Sequence, residues 1–216
     1  MKFFQLFFVL FLFSNCAESK SDKQVVQISG QTVDPVKEIY QDGYKRAYFA
    51  SGCFWCVEGI YESVIGVKEA VSGYSGGTTP NPTYKNQGNH AETVEVIYDP
   101  NRVTFETLLD VYFASQNITQ VNGQGPDRGI NYRSIVFYRD ANEKAIIDAK
   151  IAALNLQLEG SLKVAAHVMP FQKFYRAEEY HQNYAKKNPN QPYIRNVSKP
   201  RKENFKNKHP ELLKSE

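Results

Sequence analysis

The chain has 216 residues, 42% of them hydrophobic, with 26 Lys+Arg against 23 Asp+Glu, a length that suits one domain with flanking segments. Three cysteines (Cys16, Cys53 and Cys56) exclude a multi-disulfide scaffold and a four-cysteine zinc site, and 14 Tyr with 14 Phe exclude a disordered chain. The net charge of +3 is local: residues 195–216 hold seven basic and three acidic side chains, leaving 19 basic and 20 acidic elsewhere. The expectation is a solvated basic tail over 195–216 and no nucleic-acid partner, because a nucleic-acid binder needs its basic face on the folded part.

Met1 to Phe13 (MKFFQLFFVLFLF) places one lysine before an apolar run too short to span a membrane. This is the pattern of an export signal over residues 1–15. The run ends Phe13-Ser14-Asn15-Cys16, where two readings stand: a lipoprotein signal whose Cys16 thiol carries a lipid anchor, or a plain signal peptide. Either places the protein outside the cytoplasm, in the periplasm or on a membrane, with residues 16–43 as a polar linker. The folded domain is expected over 44–194, as a monomer.

Within that domain Ala47 to Ala50 reads as a strand and Phe54 to Val64 as a helix closed by Gly66. Lys68 to Tyr74 reads as a strand entering the turn Gly73-Tyr74-Ser75-Gly76-Gly77. Glu92 to Tyr98 alternates as a strand stopped by Asp99-Pro100, and Thr104 caps a helix running to Ala114. A Gly/Asn/Gln-rich loop over 115–131 is long enough to suggest function. Strands over Arg133–Tyr138 and Leu162–Val168 flank a helix over Asn142–Leu158, and a last helix spans Ala177–Lys186. The order β-α-β-β-α-β-α-β-α predicts an α+β fold: a two-layer α/β sandwich with a ferredoxin-like core, additional helices and long loops.

The chemistry concentrates at Gly52-Cys53-Phe54-Trp55-Cys56, in the turn from the first strand into the first helix. A thiol there meets unpaired N–H groups and the positive end of the helix dipole, which favour the thiolate. Cys56 lies one helical turn on, within reach of a disulfide; spacing alone fits a redox pair or a structural staple. Phe54 and Trp55 can wall a small apolar pocket. Thioredoxin-like proteins put Trp before the first cysteine instead, which argues against a general disulfide exchanger. His90 and His181 lack the clustering of metal ligands and are expected to bond the loops. Glu178 is expected to cap or tether the last helix.

GCFWC followed by Val57-Glu58 resembles the active-site motif of the A-type peptide methionine sulfoxide reductases, the MsrA family. Val71-Ser72-Gly73-Tyr74-Ser75-Gly76-Gly77, Asn81-Pro82-Thr83-Tyr84, His90-Ala91-Glu92-Thr93-Val94, Gln124-Gly125-Pro126-Asp127-Arg128-Gly129, Tyr132-Arg133-Ser134 and Ala177-Glu178-Glu179-Tyr180-His181-Gln182 are similar in order and spacing, so the resemblance covers about Arg46 to Tyr193. It implies that Cys53 attacks the sulfur of methionine sulfoxide while Glu92 protonates the oxygen. Tyr84 and Tyr132 would hold that oxygen, Asp127 would fix their network, and Phe54 and Trp55 would enclose the methyl group and select the S epimer. A sulfenic acid on Cys53 would result, with no cofactor and no metal. Many relatives carry resolving cysteines in a glycine-rich C-terminal tail. Here no cysteine follows Cys56, so the resemblance implies a Cys53–Cys56 disulfide reduced by a thioredoxin-type donor. An extracytoplasmic thiol–disulfide oxidoreductase using the same two thiols is the alternative. Gln116-Asn117-Ile118-Thr119 stands where relatives commonly show His-Asp-Pro-Thr, and Asn131 where Gln is usual.

Overall fold

Apart from Met1, the computed structural model describes residues 34–37, 40 and 42–215. The export signal, Cys16 and most of the expected linker lie outside the described residues. The core elements are β1 (Lys45–Ala50), α1 (Phe54–Tyr61), β2 (Val67–Ser75), β3 (Ala91–Tyr98) and α2 (Phe105–Ala114). A small hairpin of β4 (Gly123–Gln124) and β5 (Asp127–Arg128) precedes β6 (Ile135–Tyr138), α3 (Ala141–Gln157) and β7 (His167–Pro170). Then come β8 (Tyr175–Arg176), α4 (Tyr184–Lys187) and α5 (Lys199–Lys208).

The main sheet runs β7-β6-β1-β3-β2-β8. Its four central strands pair antiparallel and, numbered among themselves, take the order 4-1-3-2, the split β-α-β arrangement of the ferredoxin-like fold. The expected two-layer α+β sandwich is the observed one. Two edges are added: β7 joins β6 in parallel, after the crossover through α3, and β8 joins β2.

Alternation along the strands sorts the sheet's two faces. Phe49, Val94, Val96 and Tyr98 turn toward the helices and share a core with Leu108 and Val111 of α2, Ile147 of α3 and Ile60 of α1. Tyr48, Ala50, Ile135 and Phe137 turn the other way onto Phe171, whose ring stacks on Tyr48 at 3.8 Å. Glu92 lies on the same strand face as Val94 and Val96, which carries its carboxyl toward the helical layer rather than to solvent. Thr104 caps α2 by accepting from the Thr107 amide at 3.2 Å, as its position in the sequence implied.

Several boundaries differ from expectation. Helix α1 ends at Tyr61, because the amides of Ser63 and Val64 bond three residues back in tighter turns. The strand expected over Leu162–Val168 starts only at His167. Before it, the Val164 amide donates to the Asn155 side chain and the Ala165 amide to the Ile118 carbonyl, which takes both out of the ladder. The helix expected over Ala177–Lys186 is a 3-10 turn, Glu179–His181, followed by the four-residue α4. Asn183, left-handed at φ 57°, breaks it, with its amide donating to the Glu58 carboxylate. Part of the expected linker is also docked: the Val36 amide donates to Phe171 O at 2.8 Å, and the Arg46 guanidinium covers the Tyr40 ring.

The largest departure concerns the expected tail over 195–216, whose described residues, 195–215, are not a solvated tail. Ile194–Ser198 form a turn of π-helix that runs into α5, and Pro200 sits in the first turn of α5, where its missing N–H costs nothing. Phe205 is fully buried against the helical layer, and Leu213 bridges back to Val64. Lysines crowd the outer side of α5, so its composition reads as solvated while one ring anchors it. Phe205→Ala is expected to lower stability by about 3–5 kcal/mol, the usual cost of emptying a fully buried aromatic site. Urea unfolding with a far-UV signal would show that loss; a free tail would show none.

Candidate active site

The turn that presents Cys53 is built by glycine. Gly52 has φ +80°, and a Cβ there would lie 2.5 Å from Cβ of Gln124, so the strand-to-helix turn tolerates no side chain. Cys53 is the N-cap of α1, and its carbonyl accepts from the Cys56 amide at 3.1 Å. Both cysteines are buried free thiols. One residue further on, the Phe54 amide donates to Glu92 Oε2 at 2.9 Å, while Gln87 Nε2 donates to Glu92 Oε1 at 3.2 Å. The second unpaired amide of the helix start therefore holds the carboxyl group beside the first cysteine.

Aromatic rings surround this pair. Phe54 lies 5.8 Å from Tyr74 and 6.3 Å from Tyr84, and Trp55 lies 6.2 Å from Tyr84 and stacks on Tyr184 at 3.9 Å. Trp55 Nε1–H donates to His181 Nδ1 at 3.1 Å, and the His181 ring contacts Tyr84 at 4.4 Å. Tyr132, on a 3-10 turn after the long loop, packs on the same core, and the charges of Glu92, Tyr84 and Cys53 all act on its hydroxyl. Cys53, Phe54, Trp55, Tyr84, Glu92 and Tyr132 are thus one constellation.

Asp127 and Cys56 belong to its second half. Tyr193 O–H donates to Asp127 Oδ2 at 2.5 Å, and its oxygen lies 3.7 Å from Cys56 Sγ. Asp127, expected to help fix the tyrosine network, is bonded to Tyr193, a residue the sequence did not single out. A cleft of about 670 Å³ opens on this side, with Cys56, Gln116, Asn117, Asp127, Tyr193 and Arg201 among its lining residues. The cleft reaches Cys56 but not Cys53 or Glu92.

The remaining residues hold loops in place. His90 bonds the Gly77 amide through Nδ1 and the Thr79 carbonyl through Nε2, the loop-tying role expected of it. Glu178 tethers the Tyr84 loop, accepting from the Tyr84 amide and the Tyr74 hydroxyl, rather than capping the last helix. Gln116 accepts from Ser134 Oγ and from Gln124, which also accepts from the Asn117 amide, and Asn131 reaches the carbonyls of Gly88 and His90. These unusual residues thus fix the long loop that carries Asp127. Among the described residues no group of three or more His, Cys, Asp or Glu side chains is placed to hold a metal ion.

Burial overrides the helix dipole at Cys53. Its thiol is pushed well above the ordinary range by desolvation, then by Cys56 and Glu92, with the Trp55 amide opposing. Cys56 is lowered to about 6, first by its hydrogen bond with Cys53, with Arg201, Ser198 and Tyr193 adding to it. The two thiols share one proton as a hydrogen-bonded pair, and Arg201, Ser198 and Tyr193 favour charge on the Cys56 side of it. Desolvation also raises Glu92 to about 7, which keeps much of it protonated near neutrality. Tyr193, Gln87 and Arg201 carry no motif that marks them, and only the fold brings them here.

A buried thiol pair, a carboxyl of raised pKa beside the first thiol and a surround of aromatic rings are the parts of a cysteine-dependent redox enzyme. The family model for peptide methionine sulfoxide reductases matches residues 45–213. The chain is 44% identical over 164 residues to peptide methionine sulfoxide reductase MsrA of Nautilia profundicola, covering 74% of this chain and 93% of the relative. It is 41% identical over 174 residues to that of Pasteurella multocida, covering 79% and 99%. Among solved structures, methionine sulfoxide reductase A of Corynebacterium diphtheriae superposes with a TM-score of 0.61 at 33% identity, covering 69% of this chain and 77% of that one. Reduced Mxr1 of Saccharomyces cerevisiae gives 0.61 at 30%, covering 74% and 94%. The chain belongs to the peptide methionine sulfoxide reductase family and is an enzyme of that class.

The raised Glu92 has a stability consequence. A carboxyl whose folded pKa exceeds its unfolded value of 4.5 stabilises the fold fully below that value, and the contribution is lost as pH rises through about 7. The loss is on the order of 3 kcal/mol. Glu92→Gln is therefore expected to be more stable than the parent at pH 8 and little different at pH 4. Glu58, also raised to about 7, and Cys56 titrate in both proteins, so the difference between them isolates Glu92. Urea midpoints at the two pH values measure it.

Proposed function

We propose that Cys53 reduces the S epimer of methionine sulfoxide, in peptides and as the free amino acid, and that Cys56 resolves the product. The observation that carries this reading is the Phe54 amide-to-Glu92 bond, which puts a buried proton donor beside Cys53. Sγ of Cys53 attacks the sulfoxide sulfur while the proton shared by the thiols moves to Cys56. Glu92 protonates the sulfoxide oxygen, with Tyr84 and Tyr132 donating hydrogen bonds to it. Oxygen passes to Cys53 as a sulfenic acid, and the substrate sulfur, reduced by two electrons, leaves as methionine. Phe54 and Trp55 enclose the methyl group, and the position of that wall relative to Glu92 selects the epimer. Cys56 then attacks Cys53, forming the disulfide and releasing water. A thioredoxin-type dithiol accepts the disulfide's oxidation state by exchange. The thiol–disulfide exchanger is the weaker alternative, because it gives no role to a protonated Glu92 or to the tyrosines.

Rapid quench with sulfoxide in excess over enzyme tests this. Cys53→Ser should yield no methionine. Cys56→Ser should yield one methionine per enzyme and then stop with a thioredoxin-type donor; continued turnover at the parent rate would refute resolution by Cys56. The rate of sulfoxide reduction should fall as pH rises through about 7, where Glu92 loses its proton. A limb there that persists in Glu92→Gln would assign it elsewhere.

The N-terminal sequence supports an extracytoplasmic site of action, as a periplasmic or membrane-anchored protein, with a lipid anchor at Cys16 in the lipoprotein reading. The mass of the mature N-terminus decides it. An unmodified chain beginning at Met1 would overturn export.

A further inference from the structure

We infer that Arg201, on the helix after the last family motif, is a positioning residue for the resolving thiol: its unpaired guanidinium charge holds Cys56 as the thiolate that attacks the sulfenic acid on Cys53. This inference rests on the proposed resolution by Cys56.

Arg201 reaches back across the whole domain. It donates through Nε to Ser115 O at 2.8 Å, through one terminal nitrogen to Ser51 O at 2.9 Å and through the other to Ser51 Oγ at 3.0 Å. One guanidinium thereby ties the end of α2 to the residue before the Gly52-Cys53 turn. All three acceptors are uncharged, and among the described residues no carboxylate lies within ion-pair distance of Arg201, although Asp127 feels its charge from farther off. Arg201 and Cys56 line the same cleft.

The other neighbours of Cys56 supply little positive potential. Tyr193 has one hydroxyl hydrogen, and Asp127 takes it at 2.5 Å while Cys56 lies at 3.7 Å. Ser198 donates a neutral hydrogen bond. Asp127 and Glu92 oppose a thiolate here, Tyr61 and Tyr112 are neutral and raised by burial, and Lys208 lines the cleft without a contact to Cys56. Arg201 is the cation that acts on Cys56, on Asp127 and on both tyrosines. A thiolate at Cys56 matters because the thiolate is the attacking species. Once Cys53 is oxidised, Cys56 passes the proton it took up to Glu92, which gave its own to the sulfoxide oxygen. The Cys56 sulfur then forms the S–S bond while the S–O bond of Cys53 breaks, and the hydroxide leaves as water with that proton from Glu92. Cys53 is reduced and Cys56 oxidised by the same step, so no outside reductant enters.

The test separates charge from scaffold. In a Cys53→Ser background, the Cys56 thiolate is titrated by its ultraviolet absorbance with Arg201, Arg201→Gln and Arg201→Lys. Arg201→Gln keeps donors for the Ser51 and Ser115 carbonyls but not the charge, and should move the titration up by about one pH unit. Arg201→Lys keeps the charge and should hold it near the parent. Arg201→Met, which retains the aliphatic stem, stands in if Arg201→Gln does not fold. With both thiols present, disulfide formation after the methionine burst should slow about tenfold in Arg201→Gln at a pH below the Cys56 titration. An unchanged titration in Arg201→Gln, or equal shifts in the Lys and Gln proteins, overturns the inference while leaving resolution by Cys56 intact. If the parent forms methionine but no disulfide, the functional reading itself fails, and this inference with it.

Discussion

The hydrogen bond from the Phe54 amide to the Glu92 carboxyl is the constraint on which the site depends. It joins the start of α1 to β3 and satisfies an amide that a helix start leaves without an intrahelical partner. It also sets Glu92 beside Cys53 without any side-chain cap. Without it, the buried carboxyl would lose its principal backbone donor and the first turn of α1 would lose its tie to the sheet. Acid and nucleophile are thus positioned by backbone geometry, which the strand register and the Gly52 turn fix before any side chain adjusts.

Two opposing fields act on the thiols, and their sizes decide the outcome. A helix N-terminus contributes a fraction of a unit charge within one turn, whereas complete burial penalises a thiolate by far more. At Cys53 burial wins and the proton stays. Cys56, one turn on, is equally buried, but its hydrogen bond with Cys53 and, after it, the neighbouring C-terminal segment favour charge there. A CxxC spacing alone makes the two positions look alike; their surroundings make them different.

What could be read from the sequence follows from this. Alternation over Glu92–Tyr98, the cap at Thr104 and the GCFWC turn are local patterns, and each led to the right element. The ferredoxin-like order followed from counting those elements. The C-terminal segment reads as a solvated tail because its buried apolar anchors, Ile194 and Phe205, are eleven positions apart with mostly polar and charged residues between them, too sparse to stand out as a stripe. Tyr193 and Arg201 act only through partners far away in the chain, so no window of sequence contains their purpose. Asp127 was found by its motif, but its partner was not.

The Arg201–Ser51 contact spans 150 residues, and Cys56 meets Tyr193 across 137. Contacts so distant in sequence form late, since each requires a long loop to close. During synthesis, both thiols and the strands of the sheet are made before the C-terminal side of the cleft wall, residues 193–208, has been added. Until those residues dock, Cys56 lacks the part of its cover that Tyr193, Ser198 and Arg201 supply, and is more open to stray oxidants and foreign thiols. The order of the chain therefore makes the newborn protein more vulnerable than the finished one, and α5 ends that interval.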